Sequence, residues 1–287
     1  DRVIVHRAHD PGGEIEARAR DQLGPPRYAD AGIALFAVPP TADLPGFSAL
    51  PAAATAISDR AESYGYAPSR GWALLTGSLA GEGRAVTLSL DDQPVAEWQI
   101  DGPTPIRVPL PVAAGTYHAA TLALAAPCPQ TLNPALECRT VAVDDLALTF
   151  APDESGLAAP VQFARDLTLA RAMITESAAR PGETLSVWLW WRFGAPVTAN
   201  DVRFVHVIDA AGQLVVGQDN PLGAVAAGAA RAEIVDLRLP DDLTMGTYRV
   251  YAGWYTFPDI TRFDVLSDVP GALDRVVLIG EFEVVLD

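Results

Sequence analysis

Hydrophobic positions recur with two different periods along the chain. Near the start, Val3-Ile4-Val5-His6 is a short apolar run. Glu14 to Leu23 then carries Ile15, Ala19 and Leu23 at i, i+4 and i+8, one stripe of a helix. Gly24-Pro25-Pro26 ends that helix, and Ile33 to Val38 is a second strand stopped by Pro39-Pro40. Residues 1–40 therefore read as a small α/β, βαβ-like segment. One such unit cannot cover both faces of its own sheet, so it reads as truncated. Residues 41–56 are rich in Pro, Ala and Thr and read as a linker.

From residue 57 to 150 the period changes to two. Val86–Leu90, Val95–Ile100 and Ile106–Leu110 alternate, with Asp91-Asp92-Gln93 as a tight turn between the first two. A further strand opens at Gly115-Thr116-Tyr117-His118, and Val141–Phe150 is the last. Gly77–Gly81 reads as a loop entry. Short strands every ten residues or so, with no helical period, predict an antiparallel sandwich of jelly-roll type. Residues 151–160 (APDESGLAAP) read as a second linker. Residues 161–287 are again all-β, with strands at Leu185–Phe193, Arg203–Asp209, Gln213–Gln218, Arg231–Leu239, Gly246–Phe257 and Arg275–Leu286. Their number and spacing predict an immunoglobulin-like sandwich. The fold class is thus mainly β: two antiparallel β-sandwiches preceded by a small α/β segment.

Composition narrows the function. Of 287 residues 49% are hydrophobic, which excludes a disordered chain. No apolar run reaches the length of a membrane span, so a membrane connection would need a segment outside this chain. The formal net charge of −16 excludes a nucleic-acid binder that works through clustered positive charge. All 20 basic residues are Arg, which favours planar, bidentate contacts. Cys128 and Cys138 bracket the turn-rich CPQTLNPALEC. Joining them would restrict the unfolded chain by about 2–3 kcal/mol, and predicts an oxidising, extracytoplasmic compartment.

Candidate chemistry is sparse. Leu185, Val187, Leu189, Trp191 and Phe193 share one face of a strand, and Ser186, Trp188, Trp190 and Arg192 share the other. Paired indoles on a second face suit either a sugar platform or packing against a neighbouring domain. Trp188, Trp190, Trp254, Trp72 and Trp98 are the glycan-binding candidates. Asp91-Asp92 reads as turn chemistry. Hard oxygen ligands make Asp144 and Asp145 candidates for a structural Ca²⁺ site, though not of EF-hand spacing; no other cofactor is expected. His6 and His9 have only Asp10 near them in sequence. His206 shares a face with Phe204 and Ile208 and reads as a hydrogen-bonded sandwich residue. Nucleophile elbows, phosphate loops and zinc spacings do not occur, so no residue is assigned a catalytic role.

The C-terminal third carries Pro181-Gly182-Glu183, LSVWLWWRF, VRFVHVIDAAGQLVVGQDNPLG and DLRLPDDLTMGTYRVYAGWY. This order resembles the β-sandwich that follows the transmembrane region of bacterial membrane-embedded glycosyltransferases of the dolichyl-phosphate-mannose type. The matching positions are Phe204, His206, Asp209, Gly212, Gln218, Asp219, Pro221, Gly246 and Tyr248. Residues 1–40 resemble the segment just after the last span, and the middle region with its VDDLAL ending resembles a carbohydrate-binding jelly roll. At 224–232 (AVAAGAARA) the sequence departs from the Pro- and Trp-bearing loop of the family. The resemblance implies a non-catalytic, extracytoplasmic region tethered through an upstream membrane segment, since the family's catalytic acids lie in the membrane region. Its partners would be a glycan, a lipid-linked sugar or surface proteins. The alternative is a freestanding secreted carbohydrate-binding or cell-surface structural module. A hydrolase built on the sandwiches finds no motif.

Overall fold

The computed structural model describes residues 2–37, 56–57, 59–67, 69–126, 140–153 and 156–285. Cys128 and Cys138, and most of the 41–56 segment, lie outside the described residues. The chain divides into two compact units, Asp1–Gly46 and Phe47–Asp287.

In the first unit, β1 (Arg2–His6) leads to α1 (Glu14–Leu23), then to β2 (Tyr28–Ala29) and β3 (Ile33–Ala37). The helix has the bounds that its apolar spacing predicts. Asp10 caps it, accepting the backbone N–H groups of Ile15 and Glu16 at 3.1 and 2.9 Å. That use of Asp10 ties it to the helix and not to His6 and His9. The sheet order is β1-β3-β2, with both pairings antiparallel. β1 and β2 therefore run in the same direction with β3 inserted between them. The βαβ-like expectation is corrected in this detail: the helix links β1 to the two-residue β2, and Ile33–Ala37 returns antiparallel. Val5, Ala19, Ala34 and Phe36 form the small core, while Ile15 stays exposed.

The second unit opens with a jelly roll. Its strands are β4 (Ala56–Ile57), β5 (Arg60–Ala67), β6 (Gly71–Ala80), β7 (Arg84–Leu90), β8 (Gln93–Ile100), β9 (Thr104–Val112), β10 (Thr116–Leu124) and β11 (Val141–Pro152). Residues 77–80, expected at a loop, belong to β6, and residues 151–152, expected as linker, continue β11. Strand pairs nest as in a long hairpin rolled up on itself: β7 with β8, β6 with β9, β5 with β10, β4 with β11. Rolling yields two four-stranded sheets, β5-β10-β7-β8 and β4-β11-β6-β9. At the tip, Asp91 and Asp92 both have positive φ (50° and 65°), which a two-residue hairpin turn requires.

The second sandwich comprises β12 (Val161–Phe163), β13 (Leu167–Ile174), β14 (Ala178–Ala179), β15 (Thr184–Phe193), β16 (Asp201–Ile208), β17 (Leu214–Pro221), β18 (Ala230–Arg238), β19 (Gly246–Thr256), β20 (Thr261–Arg262) and β21 (Val277–Val284). One sheet has the order β12-β13-β15-β18. The other has β14-β21-β19-β16-β17, with β20 on β19, and only its β14–β21 pair is parallel. This is the immunoglobulin-like arrangement that the strand spacing predicts.

The β12-β13-β15-β18 sheet buries both faces. Leu185, Val187, Leu189, Trp191 and Phe193 enter the core of their own sandwich. Trp188 and Trp190, with Ala170, Met173 and Ala230, join the core of the jelly roll. Edge strands β8 and β9, at the same end of the two jelly-roll sheets, lie against this face. Trp72 meets Trp188 edge-to-face at 6.0 Å, and the Arg171 guanidinium lies 4.9 Å from the Trp72 ring centre. At the margin, Arg107 pairs with Asp236 at 2.6 Å, and the Ser186 hydroxyl donates to the same carboxylate at 2.6 Å.

Inside the second sandwich lies a buried ion pair. Arg203, 1% exposed, donates to both oxygens of Glu233 at 3.0 and 2.8 Å, and Trp191 Nε1 donates to Oε1 at 2.9 Å. Glu233→Ala strands the guanidinium in the core, so a loss of about 3–5 kcal/mol is expected in urea unfolding followed by tryptophan fluorescence. A loss below about 1 kcal/mol would show the pair to be replaceable by water. In the first unit, hydrogen bonds from Arg7 and then Arg20 hold the Glu16 carboxyl down, from an ordinary 4.5 to about 2. Its folded value is depressed, so its stabilising effect is complete above about 4.5 and disappears as pH falls through about 2. An NMR titration of the Glu16 carboxyl carbon checks this, with a midpoint near 4.5 as the contrary result.

Candidate functional site

Four positions of the sequence pattern, Phe204, His206, Asp219 and Pro221, meet on the outer face of β17, β16 and β19, whereas Tyr248 enters the inner core. Alternation along β16 sends Arg203, Val205 and Val207 inward and Phe204 and His206 outward. Register then sets three rows across the sheet. Gly217, His206 and Tyr251 form one; Asp219, Phe204 and Gly253 form the next; Pro221, Val202 and Tyr255 form the third, extended by Arg262 on β20.

Two glycines let the rings lie flat. A Cβ at Gly217 would stand 2.5 Å from His206 Cδ2, and one at Gly253 would stand 2.5 Å from Phe204 Cζ and 3.1 Å from the Arg275 carbonyl. Each ring thus lies over the bare backbone of a neighbouring strand. His206 and Phe204 have ring centres 4.7 Å apart at 36°, and Phe204 and Tyr255 lie 6.2 Å apart at 31°. Phe204 is the buried floor of this group, with Arg262 Cζ 5.2 Å from its centre.

One carboxylate ties the rings together. Asp219 Oδ1 lies 2.8 Å from His206 Nε2, and Tyr255 donates its hydroxyl to Asp219 Oδ2 at 3.0 Å. An ionised carboxylate only accepts, so Nε2 carries the proton in this contact. Burial, and then the bond to Asp219, push the Tyr255 phenol above its ordinary value and keep it a donor. Asp219 is exposed and Tyr255 half-buried, so the carboxylate keeps accepting capacity open to solvent. The cluster is therefore rich in acceptors, and suits a ligand that brings hydroxyl donors and an apolar face.

The sequence-predicted platform lies elsewhere, and the indoles are corrected accordingly. Trp188 and Trp190 are buried against the jelly roll, as is Trp72 on the other side of that contact. Trp254 is buried in the second sandwich, edge-on to Trp191 and Phe193. Rings so enclosed offer no face to a sugar. Trp98 is half-buried on the jelly-roll core. Asp144 and Asp145 are exposed at a bulge of β11, where the close approach of Gly77 to the backbone of 144–146 accommodates the extra residue. Among the described residues no group of three or more His, Cys, Asp or Glu is placed to hold a metal. Asp91 accepts from His118 at 2.6 Å and from the Ala119 backbone at 2.9 Å. Sequence reading places His206 with Phe204 and leaves Tyr255, beside Trp254, open between platform and packing, but misses Tyr251 and Arg262. The alternation Tyr251-Gly253-Tyr255 against Val250-Ala252-Trp254 carries that signal, because only the first set can face outward.

Neither a family model nor a curated protein matches this sequence. Similar solved structures include the C-terminal domain of wzt, 13% identical, covering 47% of this chain and 83% of that one with a TM-score of 0.36. A β-glucuronidase of Bacteroides uniformis is 14% identical, covering 73% of this chain and 26% of that one, TM-score 0.25. A β-galactosidase of Bacteroides fragilis is 9% identical, covering 73% and 32%, TM-score 0.19. None overlays closely enough to transfer a role.

Gly253→Ala should drive Phe204 off its seat against a fixed carbonyl, costing about 1–3 kcal/mol. Chemical denaturation measures that cost, and near-UV circular dichroism reports the displaced rings. A variant as stable as the parent would mean that the ring has another resting place.

Proposed function

We propose that this chain is a non-catalytic glycan-binding region, and that the outer face of β17, β16 and β19 holds a neutral saccharide. The observation that carries this reading is the His206–Asp219–Tyr255 hydrogen-bonded cluster beside the Phe204 floor. The part-exposed rings of His206 and Tyr255, seated on buried Phe204, take the apolar face of a sugar ring, and Asp219 and Tyr255 accept its hydroxyl protons. Arg262 supplies donors at the rim. Glycoside hydrolysis needs two carboxyls across the scissile bond. Asp219 is the single carboxylate bonded into the cluster among the described residues, which supports binding without turnover. The sequence resemblance supports a setting in the extracytoplasmic part of a membrane glycosyltransferase-like protein, where the region would position glycan or lipid-linked sugar.

The test is titration calorimetry of the intact chain against a panel of neutral oligosaccharides, with Tyr255→Ala and Asp219→Asn alongside. Saturable binding that weakens at least tenfold in both variants, with no release of reducing ends, is the expected result. Binding unaltered by either variant, or absent across the panel, would overturn the reading.

A further inference from the structure

A second site lies in the cleft between the two sandwiches, about 380 Å³ in volume, and it has the opposite chemistry. The geometry points to a binding site for a sugar ring that carries an anionic group, a carboxylate or a phosphate, held between the jelly roll and the immunoglobulin-like sandwich.

Three guanidinium groups line this cleft: Arg70 from the jelly roll, Arg171 from β13 and Arg192 from β15. The carboxylate lining it, Asp91, is occupied by His118 and the Ala119 backbone. Asp153 takes up Arg171 at 2.7 Å through the same oxygen that lies 3.6 Å from Arg70. Arg171 also donates to the Val112 carbonyl at 3.1 Å. Arg192 is exposed and has no carboxylate partner among the described residues. Counting His118 as neutral, three positive charges meet two negative ones, in a chain of net charge −16. An arginine cluster with one fork unspent stands out against that overall field. Guanidinium groups match carboxylate and phosphate oxygens in a planar, two-bond geometry.

The remaining wall is apolar. Pro111, Val112 and Pro160 border the cleft, with only the margin of the buried Trp190 reaching it. A volume of this size falls within the range of small-ligand pockets. An anion seated on Arg192 and Arg70 would touch both sandwiches at once, so binding would also stabilise their contact. This site is independent of the neutral-glycan face, both in residues and in ligand charge.

Glucose, glucuronate and glucose 6-phosphate, titrated into the intact chain by calorimetry, test this with matched rings. Saturable binding of at least one charged sugar, with glucose at least tenfold weaker, is expected; whichever binds better identifies the anion as carboxylate or phosphate. Arg192→Gln should weaken that binding tenfold or more while leaving the unliganded unfolding midpoint unchanged, since Arg192 packs nothing in the core. The proposal is overturned if neither charged sugar binds saturably, if glucose binds equally well, or if Arg192→Gln leaves the affinity as it was.

Discussion

The fold depends on a sheet whose two faces each enter a hydrophobic core. β13, β15 and β18 present Leu189, Trp191 and Val235 to one core and Trp190, Trp188 and Met173 to another. A strand so placed must be apolar at nearly every position, which is why β15 reads Leu-Ser-Val-Trp-Leu-Trp-Trp without regular alternation of polarity. The bulge between Leu169 and Arg171 keeps Arg171 beside Trp190 while returning Ala172 to the inner core. Opposite Trp190 stands Ala232 and opposite Arg192 stands Ala230, both small enough for the jelly roll to approach. The end of the Ala-rich run at 224–232, Ala230 and Ala232, thus serves this contact, whereas Val225 and Ala229 pack on the inner core. Because Trp188 and Trp190 close the end of the jelly roll, the two sandwiches form one compact unit.

That commitment decides where polar chemistry is left over. Indoles used as packing are lost to ligands, and the half-buried rings that share a carboxylate lie on the opposite sheet. There, His206 and Phe204 lie over backbone made bare by glycine, and His206 and Tyr255 share one carboxylate. At the margin of the inter-sandwich contact the apolar seal ends, and arginines from both sides converge on a cleft. The two places differ in kind: the first is acceptor-rich, the second donor-rich.

The absence of Lys has a structural counterpart. Arg203 satisfies both Glu233 oxygens inside a core, and Arg171 stacks on Trp72 while bonding Asp153 and a carbonyl. Both tasks use the spread donors of a planar fork, which a compact ammonium lacks. These arginines sit on strands whose neighbours are apolar, so composition alone does not reveal them as buried.

The sequence by itself determined the local structure: the helix at Glu14–Leu23, the tight turn at Asp91-Asp92, the two-face division of β15 and the succession of short strands that makes two sandwiches. These follow from spacing and turn chemistry within a few residues, so they are readable from the chain. It also placed Phe204 and His206 on a common face. What covers each face was decided by tertiary structure. Period-two alternation says that Trp188 and Trp190 share a side, but not whether that side meets a sugar or the jelly roll. The same pattern cannot bring Asp219 and Tyr255, 36 residues apart, onto one hydrogen-bonded cluster. Nor can it reverse Ile33–Ala37 against β1. Strand register and sheet-on-sheet packing join residues distant in sequence, and the free energy that selects those partners comes from burial shared between segments.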